Sequence, residues 1–397
     1  MLFVYNPFVM DFMVAARGYG LAIGFLMMEV FLLARQVVTY EPGGENGLRH
    51  DAMFASACAA ISFSANFSFS YAIASCMLLF GLWTWWKMRQ YYGQNRETLA
   101  RCGRLLLWCV APGFLVAFPI VGSVVADFPK SQLYYGAKTL SESWHSIVDA
   151  CFSGLNPVIV NPLLANLLQR LPPVLPWLAM ALTVAQFAVL LWPRRDAARS
   201  RAVWVAGMAG AAVILTFSLH WFQFVLAQLP LPFKRTSLFF VPLATLAWGG
   251  VTIADRQSRA GRILQRVSLA LMFACAVYFL GALRLMHFYE WQFGADVRSA
   301  FPAIQQVGRR YGVREIPTVW EYADALNFYR TYNHDQDLDP FRWTLPIPGG
   351  HKLYVLPYND YEDFIRKENL HIVYRGERTQ LTILARGDPP SGPEGKR

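Results

Sequence analysis

AMFASACAAISFSANFSFSYAIASCMLLFGLWTWW, residues 52–86, runs for thirty-five positions without a charged side chain. A helix crosses a hydrocarbon core of about 30 Å in roughly 20 residues, so this stretch is too long for one crossing. It reads as two short spans folded into a hairpin near Ser64, Ala65 and Asn66. Six further stretches, 10–33, 105–125, 174–192, 202–226, 237–253 and 263–286, approach or exceed the spanning length with few charges. A water-soluble helical bundle needs polar residues at every third or fourth position, and these stretches lack them. The sequence therefore predicts an α-helical polytopic membrane protein of about eight spans.

The basic residues orient it. One set of connections holds Arg35 and Arg49, then Lys87, Arg89, Arg96, Arg101 and Arg104, then Arg194, Arg195, Arg199 and Arg201, then Arg256, Arg259, Arg262 and Arg266. The opposite set holds Arg17, Lys130, Lys138, Arg170, Lys234 and Arg235. Fifteen against six is the bias of a cytoplasmic against an outer face. Both ends of the hairpin fall on basic connections, as two crossings require, and eight spans put both termini outside. The formal net charge of +10 then lies mostly at the inner membrane surface and calls for no nucleic-acid partner.

Hydrophobic residues at 55% and charged residues at 16% suit a chain about two-thirds membrane and one-third soluble. The six cysteines are scattered, with no CxxC and no Cys/His cluster at ligand spacing, so neither a metal nor a cofactor is expected. The start of the chain lacks the basic n-region of a cleavable signal peptide. Two outer segments are large. The loop 127–173 carries weakly amphipathic runs at 140–155 and 158–171, the first with Trp144, Ile147 and Val148 on one face. Such runs suit the interfacial plane, bordering a lipid entrance, or a packed structural loop. After a membrane domain over 1–287, residues 288–387 read as a small outer α/β domain. Helices are expected over 297–311, 321–332 and 361–368, strands over 315–320 and 351–356, and a hairpin of 370–374 with 381–385. The tail 388–397, rich in Pro, Gly and charge, reads as disordered.

The most specific run is NPFVMDFMVAARGYG, residues 6–20, which puts Asp11 and Arg17 near the membrane boundary. Six positions apart, they fall on roughly opposite faces of a helix, and ionisable groups at such depth are usually kept for function. Lys234 and Arg235 sit side by side at the other outer boundary, suited to phosphate oxygens or to simple snorkelling at a helix end. His220, beside Trp221 and Gln223, suits a polar cavity or a structural hydrogen bond. The acidic run Asp335-Gln-Asp-Leu-Asp lacks the glycine and the distal glutamate of a calcium loop and reads as an exposed turn. No P-loop, nucleophile elbow or dinucleotide cradle is present.

The run 6–20 and the later segment LPFKRTSLFFVPL, residues 231–243, resemble features of the GT-C superfamily of polytopic glycosyltransferases, the relatives of bacterial protein O-mannosyltransferases and lipid A aminoarabinose transferases. The order of spans, the long outer loop and the outer C-terminal domain fit that resemblance, which covers nearly the whole chain. It implies a bacterial inner-membrane enzyme with a periplasmic C-terminal domain. Such an enzyme moves a sugar from a polyprenyl-phosphate carrier to a protein, lipid or glycan acceptor at the outer face. Arg17, Lys234 and Arg235 would then hold the carrier phosphate. The family's catalytic acid lies between its first and second spans, whereas this sequence opens at what resembles a later outer segment. The resemblance thus implies a shortened chain, or another outer acid in the role: Asp11, Asp127, Glu142 or Asp149, with Asp11 first because it lies in the family-like run. A lipid-linked substrate transporter and a non-catalytic glycolipid-binding partner are the competing classes.

Overall fold

The computed structural model describes residues 2–3, 5–14, 18–41, 44–93, 96–127, 135–152, 154–156, 161–191, 200–253, 259–284, 292–344, 346, 348 and 350–387. The chain divides into two compact units, Met1–Leu283 and Arg284–Arg397. The first is helical: α1 (Pro7–Val14), α2 (Tyr19–Thr39), α3 (Glu45–Ala65), α4 (Ser70–Tyr92), α5 (Arg96–Asp127), α6 (Leu140–Cys151), α7 (Pro162–Leu168), α8 (Leu175–Leu191), α9 (Ser200–Ala227), α10 (Phe240–Ile253) and α11 (Arg259–Ala282).

Among the described residues, five stretches are long and apolar enough to cross a membrane: Tyr19–Thr39, Phe67–Tyr92, Arg96–Gly122, Trp204–Ala227 and Arg262–Ala282. α5 shows what covers them. Leu107, Val110, Phe114, Leu115 and Phe118 are each more than half exposed along it, an apolar surface suited to lipid rather than water. α8 and α10, at 17 and 14 residues, are shorter helices of the same apolar character.

The expected hairpin is present. α3 ends at Asn66, whose side chain accepts from the Ser68 N–H at 3.1 Å and starts a short 3-10 turn leading into α4. The expected span over 10–33 is present with shifted bounds, as Tyr19–Thr39. α1 stops at Val14 and α2 starts after Gly18, whose φ of 77° is open to glycine and strained for other residues. A side chain there would also meet the Ala65 carbonyl at 2.7 Å.

That contact begins an antiparallel α2–α3 pairing. Ser62 donates to the Ala22 carbonyl at 2.8 Å, and at the far end Asp51 accepts from Arg35 Nε at 2.8 Å and from Gln36. Small residues on α3, Ala52, Ala55, Ser56, Ala59 and Ala60, are buried and let the helices approach closely. α5 packs on α3 as well. Pro112 and Pro119 interrupt its backbone ladder, and the Gly113 N–H donates to Ser56 Oγ at 2.8 Å, a cross-helix partner for a backbone group at a proline break.

The second unit comprises α12 (Val297–Tyr311), α13 (Trp320–Tyr332), β1 (Leu353–Pro357), α14 (Glu362–Lys367), β2 (Leu370–Arg375) and β3 (Leu381–Arg386). The strands form one antiparallel sheet in the order β1-β3-β2, with a bulge between Ile372 and Tyr374. Val297, Ala300, Phe301, Ile304 and Tyr311 recur at helical spacing on α12 and pack in one core with the sheet. The strand expected over 315–320 is reduced to isolated bridges from Thr318 to Trp343 and Val355.

The acidic run is not a fully exposed turn. Asp335 is 8% exposed. It accepts from the Asp337 N–H at 2.7 Å and from Gln305 Nε2 at 2.6 Å, while Asp337 pairs with Arg309 at 2.8 Å. Burial opposes the Asp335 charge, but these donors, the Leu338 N–H and Arg309 outweigh it and hold the carboxyl below its ordinary range.

A Cβ on Gly113 would lie 2.7 Å from Ser56 Oγ and 2.8 Å from its carbonyl oxygen, with backbone on one side and no free space. Gly113→Ala is expected to cost ~1–3 kcal/mol through overpacking, seen as a lower thermal unfolding midpoint in detergent. Gly103→Ala on the same helix, with nothing within 4 Å, is expected to leave the midpoint unchanged or slightly raised.

Candidate functional site

Three pieces of chain meet around α6. The first is α1. Asn6 caps it, its side-chain oxygen accepting from the Phe8 and Val9 N–H groups at 3.0 and 3.3 Å, and Pro7 takes the first helical position. Phe8 and Phe12 pack edge to face at 5.5 Å, and Phe12 meets Tyr19 at 4.9 Å. Asp11, 5% exposed, is carried on this short helix, which packs against α2 and α6.

The second piece is the connection from α9 to α10. Ala137 and Leu231 exchange backbone hydrogen bonds at 2.9 Å in both directions. Ser143 on α6 donates to the Pro232 carbonyl at 2.5 Å, and the Lys234 N–H donates to Ser146 Oγ at 3.1 Å. Thr236 Oγ1 accepts from the Phe233 N–H at 2.8 Å and closes a 3-10 turn, Lys234–Ser237. Lys234 has a φ of 43°, a costly conformation for a lysine that survives because both sides of the turn are tied down. Arg235, half-buried, has its guanidinium 4.2 Å from the centre of the Tyr135 ring, a cation–π contact that fixes the head group.

The third piece is a cavity of about 370 Å³, within the range of small-molecule sites. α6 supplies Trp144, Ile147, Val148 and Cys151, and the other walls come from α8, α9, α10 and α11, with Phe217, Phe240 and Trp248 among them. Asn6, Ser218 and Thr245 are nearly its whole polar complement. One helix therefore does two things. Ser143 and Ser146 of α6 hold the basic turn, and its Trp144, Ile147, Val148 and Cys151 wall the apolar cavity. The basic turn in turn runs directly into α10, which adds Phe240 and Val241 to the same wall.

Of the residues expected from sequence, Lys234 and Arg235 stand on this turn, and Asp11 stands on the helix that also packs against α6. Arg17 lies outside the described residues. The face of Trp144, Ile147 and Val148 noted in the sequence is the cavity wall. Asn6, Cys151, Ser143, Ser146 and Tyr135 were not singled out; the serines act on a partner about ninety positions away, and nothing local marks them. His220 on α9 lies edge-on to Tyr71 at 4.6 Å and stacked with Phe239 at 5.7 Å, with its buried Nε2 unpartnered among the described residues. It is lodged among rings and contributes no hydrogen bond to the basic turn. Among the described residues there is no group of three His, Cys, Asp or Glu side chains able to hold a metal ion. No protein-family model matches the chain, and no curated protein or solved structure matches it either.

Cys151 reports on the closed wall of α6. Burial pushes its thiol up to about 12, against a smaller opposing effect of a hydrogen bond with Asn6, and the thiolate is the reactive form. Maleimide at pH 7.5 is expected to leave Cys151 unmodified in the folded protein and to modify it after denaturation, read by peptide mass spectrometry. Rapid modification of the folded chain would show that α6 is not held as described.

Proposed function

We propose that this chain is a polytopic membrane glycosyltransferase of GT-C type. It takes a sugar from a polyprenyl-phosphate carrier and delivers it to an acceptor at the outer face of a bacterial inner membrane. In this reading α3, α8 and α10 cross with the five longer stretches to give eight spans, and the C-terminal unit stands on the periplasmic side. The observation that carries the proposal is the pairing of opposite chemistries on one helix. A prenyl chain needs an apolar cavity and its phosphate needs fixed cations, and α6 holds both the wall of the cavity and the Lys234–Arg235 turn.

The residues divide the work. Arg235, held against Tyr135, offers a planar fork of donors to phosphate oxygens, and Lys234 adds a second positive charge. As the bond between the sugar C1 and the phosphate oxygen breaks, these cations stabilise the charge left on the phosphate. The acceptor oxygen forms the new bond to C1 and loses its proton to a carboxylate, the role assigned to Asp11. Polyprenyl phosphate leaves. A second reading, a glycolipid-binding protein without turnover, is favoured by the burial of Asp11, which is 5% exposed.

Binding of polyprenyl phosphate to the detergent-solubilised chain tests the shared part of both readings. Arg235→Ala is expected to weaken it by ~1.5–3 kcal/mol, the scale of a lost charge-assisted contact, and Arg235→Lys to restore it in part. Unchanged binding in a folded Ala variant would leave Arg235 as a snorkelling side chain. Asp11→Asn separates the readings: transfer lost with binding kept supports the enzyme, and transfer at full rate removes Asp11 from the chemistry.

A further inference from the structure

Glu29 occupies the middle of α2, ten residues from each end of Tyr19–Thr39. It is fully buried, at 0% exposure, and neither carboxylate oxygen has a hydrogen-bond partner among the described residues. The antiparallel register, with Ala22 against Ser62 and Arg35 against Asp51, puts it opposite the part of α3 that holds Ser56 and Cys58. The thiols of Cys58 on α3 and Cys76 on α4 lie within its electrostatic reach. α9 packs against α2 as well, yet among the described residues no charged group from any of these helices acts on Glu29. Ser75, beside Cys76 on α4, has a buried hydroxyl that is likewise unpartnered among the described residues.

An ionised carboxylate in that position would have neither a cation nor a donor, at the depth where a bilayer offers no water. Two other carboxylates of the bundle are matched: Asp51 has Arg35 and Gln36, and Glu45 has Arg101. Among the described residues no group of three potential metal ligands surrounds Glu29. With no exposed surface on the residue, the ligand that fits is the smallest one.

We propose that Glu29 is a proton-binding site inside the helical bundle, holding one proton on its carboxyl at neutral pH between α2, α3 and α4. The step is the joining of a carboxylate oxygen and a proton into an O–H group, with no other bond made or broken. Packing of α2 against α3 and α4 is then conditional on the proton: its loss leaves a charge among small and apolar side chains, and the helices must part to hydrate it. The site is independent of sugar transfer and stands whether or not the chain is a glycosyltransferase.

Infrared spectroscopy of the full chain in lipid nanodiscs at pH 7 tests this. Subtracting the Glu29→Gln spectrum from that of the unaltered protein is expected to leave the carbonyl band of a protonated carboxyl, lost in the variant. A difference confined to carboxylate bands would overturn the proposal. Should Glu29→Gln fail to fold, Glu29→Asp serves: it keeps the acid and moves the group, so the protonated-carboxyl band must shift, and a change only among carboxylate bands is again fatal. The link to packing is read at Cys76 with a membrane-permeant maleimide. As pH rises and the protonated band disappears, labelling is expected to rise more steeply in the unaltered protein than in Glu29→Gln, beyond the increase that thiolate formation gives both. An equal increase in both would show that the proton does not govern the packing.

Discussion

The hydrogen bonds between α6 and the chain that enters α10 are the constraint on which the site depends. That chain is irregular from Gln228 to Phe233, and buried backbone groups without partners are costly. The Ala137–Leu231 exchange, the Ser143 bond to Pro232 and the Ser146 bond to Lys234 supply partners from one segment. The same bonds lay α6 along the cavity and hold Lys234 in its left-handed conformation. Without them the cavity would lose a wall and the basic pair its geometry.

The same requirement recurs elsewhere in the bundle. Asn6 serves the first N–H groups of α1, Asn66 those of the turn before α4, and Ser56 the Gly113 N–H beside a proline. In each case a short polar side chain completes a backbone that its own helix cannot. Glu29 differs: it is a buried carboxyl with neither oxygen paired among the described residues, where unpaired groups such as Ser75 and Thr84 are hydroxyls that carry no charge to neutralise.

Much of the architecture was legible because it rests on local pattern. Thirty-five uncharged residues around Asn66 gave the α3–α4 hairpin, and helical spacing from Val297 to Tyr311 gave α12 with those same bounds. The break between α1 and α2 was not legible, since residues 10–33 are mostly apolar, with Asp11, Arg17 and Glu29 too widely spaced to mark an interruption. A strand is expected over 315–320, but among the described residues the segment forms bridges only at Thr318. The acidic run 335–339 reads as an exposed turn for want of a calcium-loop pattern, but the buried carboxyl of Asp335 is matched by Gln305, thirty positions earlier. In the site, the charges of Lys234 and Arg235 and the apolar face of α6 could be read from sequence. Their joining through Ser143 and Ser146 could not, because tertiary contacts alone create it.

Photo-crosslinking tests the central claim most directly, that one helix joins the phosphate and chain ends of a lipid. A polyprenyl phosphate carrying a diazirine on its first isoprene unit, photolysed with the full chain in nanodiscs, would be mapped by peptide mass spectrometry. Crosslinks are expected on α6, at Trp144, Ile147 or Val148, and on the start of α10 at Phe240 or Val241. Crosslinks confined to the exposed apolar face of α5, around Leu107, Phe114 and Phe118, would mean that the lipid merely surrounds the protein, and would contradict the claim.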